Sequence, residues 1–136
     1  ATDATFGAVF HRVGLTGDFG LLWLLPRVVG PARAKELLLG AEIVGAEQAR
    51  ALDLCHRVFA PAELEREALA LCERLCDGPP LAHALTKKGL HRALGQDLDA
   101  TLEWEVHAQA MLGKSADSRE GVQAFLERRK PRFRGE

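Results

Sequence analysis

From Pro61 onward the apolar positions fall at intervals of three and four, the rhythm of amphipathic helices. Leu64, Ala68, Leu71, Cys72 and Leu75 form a first stripe, with Pro61 suited to the first turn and Gly78 to the stop. Ala82, Leu85, Leu90, Ala93 and Leu94 form a second, and Leu98, Leu102 and Val106 a third. Trp104, Ala108, Met111 and Leu112 lie beside that third stripe, which predicts burial of this helix on two sides. Asp117 and Glu120 have capping-box spacing, and the helix they would open carries Val122, Phe125 and Leu126 and should end at Pro131.

The first half is more broken. Phe6 to Val13 reads as a strand on Val9, Phe10 and Val13. Phe19 to Leu25 reads as a short helix ended by Pro26, and Gly30-Pro31 as a stop and restart. Ala32 to Leu39 is a helix ending at Gly40, Glu42 to Val44 an extended link, and Ala46 to Leu52 a short helix. Cys55 to Phe59 alternates as a second strand would. The pattern changes near Asp77-Gly78-Pro79-Pro80, which divides the chain into a mixed segment, 1–78, and a helical one, 79–136. Each later helix has one apolar stripe, to be covered by its neighbours, by the first half or by another subunit.

Bulk properties narrow the function. With 136 residues, 47% hydrophobic and 27% charged, the chain has the profile of a soluble domain with a core. A net charge of −1 offers no general attraction to nucleic acid or to an anionic membrane, and Asp18 and Arg27 bracket the longest apolar run, too short for a span. The opening ATDATFG lacks the pattern of a secretory signal. Because the chain starts at Ala1 without Met and is most apolar within its first 30 residues, it is expected to be a fragment or a processed form. Three cysteines, Cys55, Cys72 and Cys76, argue for a reducing compartment; Cys72 and Cys76 share a helix face and read as core. No metal is expected, since the five histidines and these cysteines show no ligand spacing. Dinucleotide, phosphate-loop and serine-hydrolase motifs are absent.

Two features remain open. Asp18 stands in VGLTGDFGLLWLL, Val13 to Leu25, before an apolar run. As an N-cap its carboxylate would be tied to backbone amides and be a weak base. Enclosed by Phe10, Phe19, Leu21, Leu22 and Trp23, it would be desolvated and suited to proton transfer. The tail ERRKPRFRGE holds Arg128, Arg129, Lys130, Arg132 and Arg134. It is either a solvated helix end that complements the dipole or a phosphate-binding edge.

At these residues the sequence resembles the crotonase superfamily, the enoyl-CoA hydratases and isomerases. The resemblance rests on F-x-x-x-F-x-x-V-G-L-x-x-D-x-G from Phe6, LPRVVG from Leu25, AKELLLG from Ala34, AEQA from Ala46, PPLAHALTK from Pro79 and DSREGVQAFLERRKPRF from Asp117. It covers essentially the whole chain. It implies an α/β fold, the ClpP/crotonase-like spiral, seen as its C-terminal part: predominantly helical with a few short strands, residues 1–78 ending the spiral core and 79–136 forming a helical trimerisation and CoA-clamping region.

The resemblance also implies chemistry. Enzymes of the family hold a thioester enolate with two backbone N–H groups from the earlier half, so this chain alone is expected to be inactive and the intact parent active. Phe10 falls where typical hydratases carry a catalytic glutamate. Asp18 falls where dienoyl-CoA isomerases and chlorobenzoyl-CoA dehalogenases place a catalytic aspartate, and ring-opening isomerases of aromatic acyl-CoA degradation look similar here. Asp18 is thus the implied catalytic residue, with Phe10, Phe19 and Trp23 in the substrate pocket and Phe125, Arg128 and Lys130 on CoA. Gly17, where many relatives have Pro, suggests a looser turn; Asp53 stands where relatives carry Gly, at a place where Asp tolerates a left-handed backbone. The reading is a cytoplasmic acyl-CoA enzyme, a homotrimer or dimer of trimers, with no cofactor beyond the CoA of its substrate. The alternative is a non-catalytic homologue that binds acyl-CoA or scaffolds an oligomer.

Overall fold

A computed structural model describes residues 1–136. It contains two compact units, Ala1–Leu69 and Ala70–Glu136, with the division falling inside helix α4 (Pro61–Cys76). The first unit carries the strands β1 (Thr5–Gly7) and β2 (Ile43–Gly45) and the helices α1 (Leu21–Val29), α2 (Pro31–Gly40) and α3 (Ala46–Ala51). The strands pair antiparallel, with Phe6 opposite Val44. Leu25, Ala34, Leu37, Leu38, Val44 and Ala49 form the buried core, and Leu21, Val29, Leu52 and Leu54 pack on it. One residue or more from α1, α2, β2 and α3 therefore meets at a single apolar centre, which holds short elements too weak to stand alone.

Several local expectations are corrected. The strand expected over Phe6 to Val13 covers only Thr5–Gly7; Val9–Val13 is a 3-10 turn. Gly14, at φ 74°, closes that turn, its N–H donating to the His11 carbonyl at 3.2 Å. The β preference of Val9 and Val13 yields to this turn and to its packing on α2. Helix α1 does not start at Phe19 or stop at Pro26 but runs through it to Val29. Proline removes one helical hydrogen bond, and the packing of Leu25 and Val29 on the core holds the last turn in place. Helix α2 does end at Gly40, and the left-handed residue that follows it is Ala41, φ 47°. Cys55 to Phe59 forms no strand, because the sheet contains only β1 and β2 and offers that segment no ladder. Asp53 does adopt the left-handed backbone, at φ 59°.

The second unit contains the last turns of α4 and then α5 (Pro80–Ala93), α6 (Leu98–Leu112) and α7 (Ala116–Glu127). Helices α5 and α6 pack where Gly89 lets the backbone approach the Trp104 indole; a Cβ there would lie 2.7 Å from Trp104 Nε1. Arg92 and Lys88 stand over the same ring, at 4.8 and 5.5 Å from its centroid. Asp97 caps α6, its Oδ1 accepting the Ala100 N–H at 2.9 Å. The two-sided burial expected of α6 is not found: no residue of it is buried, and Leu98 and Val106 are 70% and 66% exposed. Cys72 and Cys76 are exposed rather than in a core. Their helices have more apolar face than this unit has partners for it.

The last helix begins differently from the capping-box reading. Ser115 is its N-cap, with Oγ accepting the Ser118 N–H at 3.0 Å, and Asp117 lies inside the first turn. The helix ends at Glu127, before Pro131, on a left-handed Arg128 at φ 55°. No helix of the chain is long and apolar enough to cross a membrane.

Candidate functional site

The loop from Gly14 to Gly20 presents Asp18. Its backbone contains three left-handed residues, Gly14, Phe19 and Gly20, at φ 74°, 50° and 80°. Gly20 is the N-cap of α1 and supplies no side chain, while the Asp18 backbone carbonyl accepts the Leu21 N–H at 2.8 Å. The capping role considered for the Asp18 carboxylate is thereby overturned. A left-handed Gly20 turns the chain into the helix without a side-chain acceptor, and the carboxylate is left exposed.

Within this chain the aromatic residues expected around it leave the carboxylate exposed. Phe19 is 97% exposed and has a left-handed backbone, φ 50°. Trp23 is partly exposed, and its face is occupied by the Arg27 guanidinium, 3.7 Å from the ring centroid. Phe10 is half-buried in the 3-10 turn and joined to the loop by the Leu15 N–H, which donates to the Phe10 carbonyl at 3.1 Å. A small apolar recess of about 210 Å³ lies in the same unit between β1, β2, α1 and α2, and includes Leu21, Leu25, Leu37 and Glu42 but not Asp18.

Gly17 is buried, and a Cβ there would approach Leu21 of α1 and Leu38 of α2 at 3.3 and 3.4 Å. At the other end of the loop, Arg12 Nε and Nη2 both donate to the Ala41 carbonyl, at 3.1 and 2.7 Å. That oxygen belongs to the C-terminal end of α2, where the helix dipole favours a cation.

The tail residues are separated in use. Phe125 is 82% exposed, and Arg128, which caps α7 through its backbone N–H to the Phe125 carbonyl, is exposed too. Lys130 instead pairs with Asp77 at 2.6 Å. Sequence reasoning missed what holds this segment. Asp117 is 5% exposed and accepts the backbone N–H groups of Arg134 and Gly135 at 2.6 and 2.8 Å. Glu120 accepts both guanidinium arms of Arg129, at 2.6 and 2.9 Å, and the Arg132 N–H at 2.8 Å. The hydrogen bonds from Arg129, then that from Arg132, hold the Glu120 carboxyl down to about 2 from an ordinary 4.5. Glu127 is lowered by hydrogen bonds from Gln123 and then Arg129, and Arg129 is raised by Glu120 and Glu127. The available signal was the pair of acids at helical spacing followed by a basic, proline-containing end.

Comparison with known proteins places these features in a family. The family model for enoyl-CoA hydratase/isomerase matches residues 1–136. A Rhodobacter capsulatus protein named "probable enoyl-CoA hydratase" is 44% identical over 99% of this chain and 52% of its own length. The 1,2-epoxyphenylacetyl-CoA isomerase of Escherichia coli is 39% identical over the same shares. Among solved structures, the enoyl-CoA hydratase of Bacillus anthracis superposes with a TM-score of 0.95 at 30% identity, over 99% of this chain and 52% of that one. The chain spans about half the length of the relatives it matches. Matched along every residue in sequence and nearly every residue in structure, the chain belongs to the enoyl-CoA hydratase/isomerase family of crotonase-fold proteins.

Proposed function

We propose that the full-length protein acts on an acyl-CoA thioester by isomerase-type proton transfer, with Asp18 as the proton carrier. The carboxylate would take a proton from a carbon conjugated to the thioester, the electron pair moving into an enolate, and return it to a second carbon. No atom is gained or lost, and no cofactor is needed beyond the CoA of the substrate. Backbone N–H donors outside this chain would hold the enolate oxygen. The observation that carries this reading is the free Asp18 carboxylate on a loop pinned to α2, unused in capping α1. A phenyl ring at Phe10 cannot exchange protons, which disfavours hydration by two carboxylates. The name of the Escherichia coli relative, an isomerase of an epoxyacyl-CoA, is in keeping with this choice.

The same reading assigns residues 1–78 to the α/β core and 79–136 to a helical trimerisation and CoA-clamping part. Phe125 and Arg128 would meet the adenosine end of CoA, with Lys130 near. The protein would be a cytoplasmic homotrimer, in which the exposed apolar faces of α6 and α7 would be covered. Asp18→Asn in the full-length protein is expected to lower kcat by about 10² to 10⁴ on a responsive enoyl-CoA substrate, the usual contribution of a positioned acid or base. A kcat within a few-fold of wild type would rule out proton transfer by Asp18. A second reading, a homologue that binds acyl-CoA without turning it over, draws on Phe10 in place of a carboxylate. It is separated by binding of CoA esters with no turnover across an enoyl-CoA panel.

A further inference from the structure

Asp18 makes no hydrogen bond with its side chain that would fix its own position, and its loop is rich in residues with positive φ. Something else must hold it. Between Gly14 and Gly20 the backbone alone is permissive, since glycine adopts left-handed and right-handed conformations with nearly equal ease. The loop is defined at two places. One is Gly17, buried where a Cβ would meet Leu21 and Leu22 of α1 and Leu38 of α2. The other is Arg12, whose guanidinium fork closes on the Ala41 carbonyl.

Ala41 is the left-handed residue that ends α2, and it is 5% exposed. Its carbonyl therefore has little access to water, and a charged donor satisfies it at the negative end of the helix. Arg12 makes no ion pair among the seven in the chain, so both of its bonds serve this one oxygen. It is also the last residue but one of the 3-10 turn whose end leads into the loop. The rigid end of α2 is thus transmitted through Arg12 to Gly14 and onward to Asp18, four residues past Gly14.

We propose that Arg12 is a positioning residue for the reaction: by clamping the Ala41 carbonyl it holds the loop in the geometry that presents the Asp18 carboxylate, without touching substrate. This rests on the proton-carrier role of Asp18. A displacement of the carboxylate by about 1 Å is enough to lose up to roughly a hundredfold in rate. A lysine would supply the charge but not the planar fork, so it should restore the position in part.

The test uses four forms of the full-length protein: Arg12→Gln, Arg12→Lys, Asp18→Asn and the Arg12→Gln/Asp18→Asn pair, assayed on the enoyl-CoA ester that the wild type turns over best. Arg12→Gln should lower kcat by about ten- to a hundredfold with KM within about twofold, and Arg12→Lys should recover part of the loss. In the Asp18→Asn background Arg12→Gln should change kcat less than about twofold, since a positioning residue has nothing left to position. Equal fold-losses in both backgrounds would overturn the proposal, as general loosening of the structure predicts them. So would an Arg12→Gln enzyme with wild-type kcat while Asp18→Asn is inactive. If Asp18→Asn keeps wild-type kcat, the proton-carrier reading falls, and the role of Arg12 with it. Should Arg12→Gln fail to fold, Arg12→Lys in both Asp18 backgrounds makes the same comparison.

Discussion

Replacing Asp117 by Ala should release the C-terminal segment while leaving the helix it belongs to intact. The carboxylate accepts two backbone N–H groups, from Arg134 at 2.6 Å and Gly135 at 2.8 Å, and it is 5% exposed. Hydrogen bonds to a charged group are worth about 1.5 to 3 kcal/mol each, which sets an upper bound near 6 kcal/mol for the pair. Arg134 is exposed and Gly135 partly so, and once freed their amides can bond to water. That recovery brings the expected cost to about 2 to 3 kcal/mol. The N-cap is not involved, because Ser115 performs it. The Asp117 backbone N–H can still donate to the Glu136 carbonyl, which it meets at 3.1 Å. The loss should therefore be local first and global second. Hydrogen exchange followed by mass spectrometry should show faster exchange at 132–136, with α7 amides little changed, and trypsin should cut sooner after Arg132 and Arg134. Denaturant titration of the full-length protein should show a fall of about 2 to 3 kcal/mol in the transition that includes this segment. If stability falls by less than about 0.5 kcal/mol and exchange at Arg134 and Gly135 is unchanged, the carboxylate is not what holds the tail.

Two other outcomes follow from the structure. Glu120 sits at about 2 in the folded protein against an ordinary 4.5, so the unfolded chain binds its proton first as acid is added. Its contribution to stability is complete above 4.5 and is lost as the pH falls from there through 2; Glu120→Gln should flatten the stability profile over that interval, as measured by denaturant titration at each pH. Gly89→Val would drive a side chain into Trp104, whose Nε1 lies 2.7 Å from the position of a Cβ, and overpacking of this kind costs about 1 to 3 kcal/mol, read as a lowered midpoint and altered tryptophan fluorescence.

The helices from Pro61 onward could be read from the chain because each carries its own signal. Apolar residues at three and four and short polar links specify α4, α5 and α6 within their own lengths, with a proline opening α4 and α5, so no distant partner is needed to recognise them. The first half offered less. Val9, Phe10 and Val13 favour a strand locally, yet the segment becomes a 3-10 turn because Gly14 closes it and Arg12 reaches Ala41, 29 residues away. Pro26 signals a stop, yet Leu25 and Val29 are held by a core assembled from α1, α2, β2 and α3. A local reading cannot weigh contacts between residues so far apart.

For the site the division is similar. The sequence motif singled out Asp18, and the family resemblance drew attention to Phe10. Motif spacing also identified the family. Whether the Asp18 carboxylate capped a helix was a matter of backbone conformation: Gly20 took the cap position at φ 80°, and Phe19, left-handed at φ 50°, is exposed. Asp117 and Glu120 had the spacing of a cap in sequence. Only in the folded chain does Ser115 take that task, which leaves the two acids to collect N–H groups from Arg129, Arg132, Arg134 and Gly135. Residue type and spacing determined which elements and which chemistry were possible. Tertiary structure decided which hydrogen-bonding group met which partner, because that choice depends on the path of the chain between them.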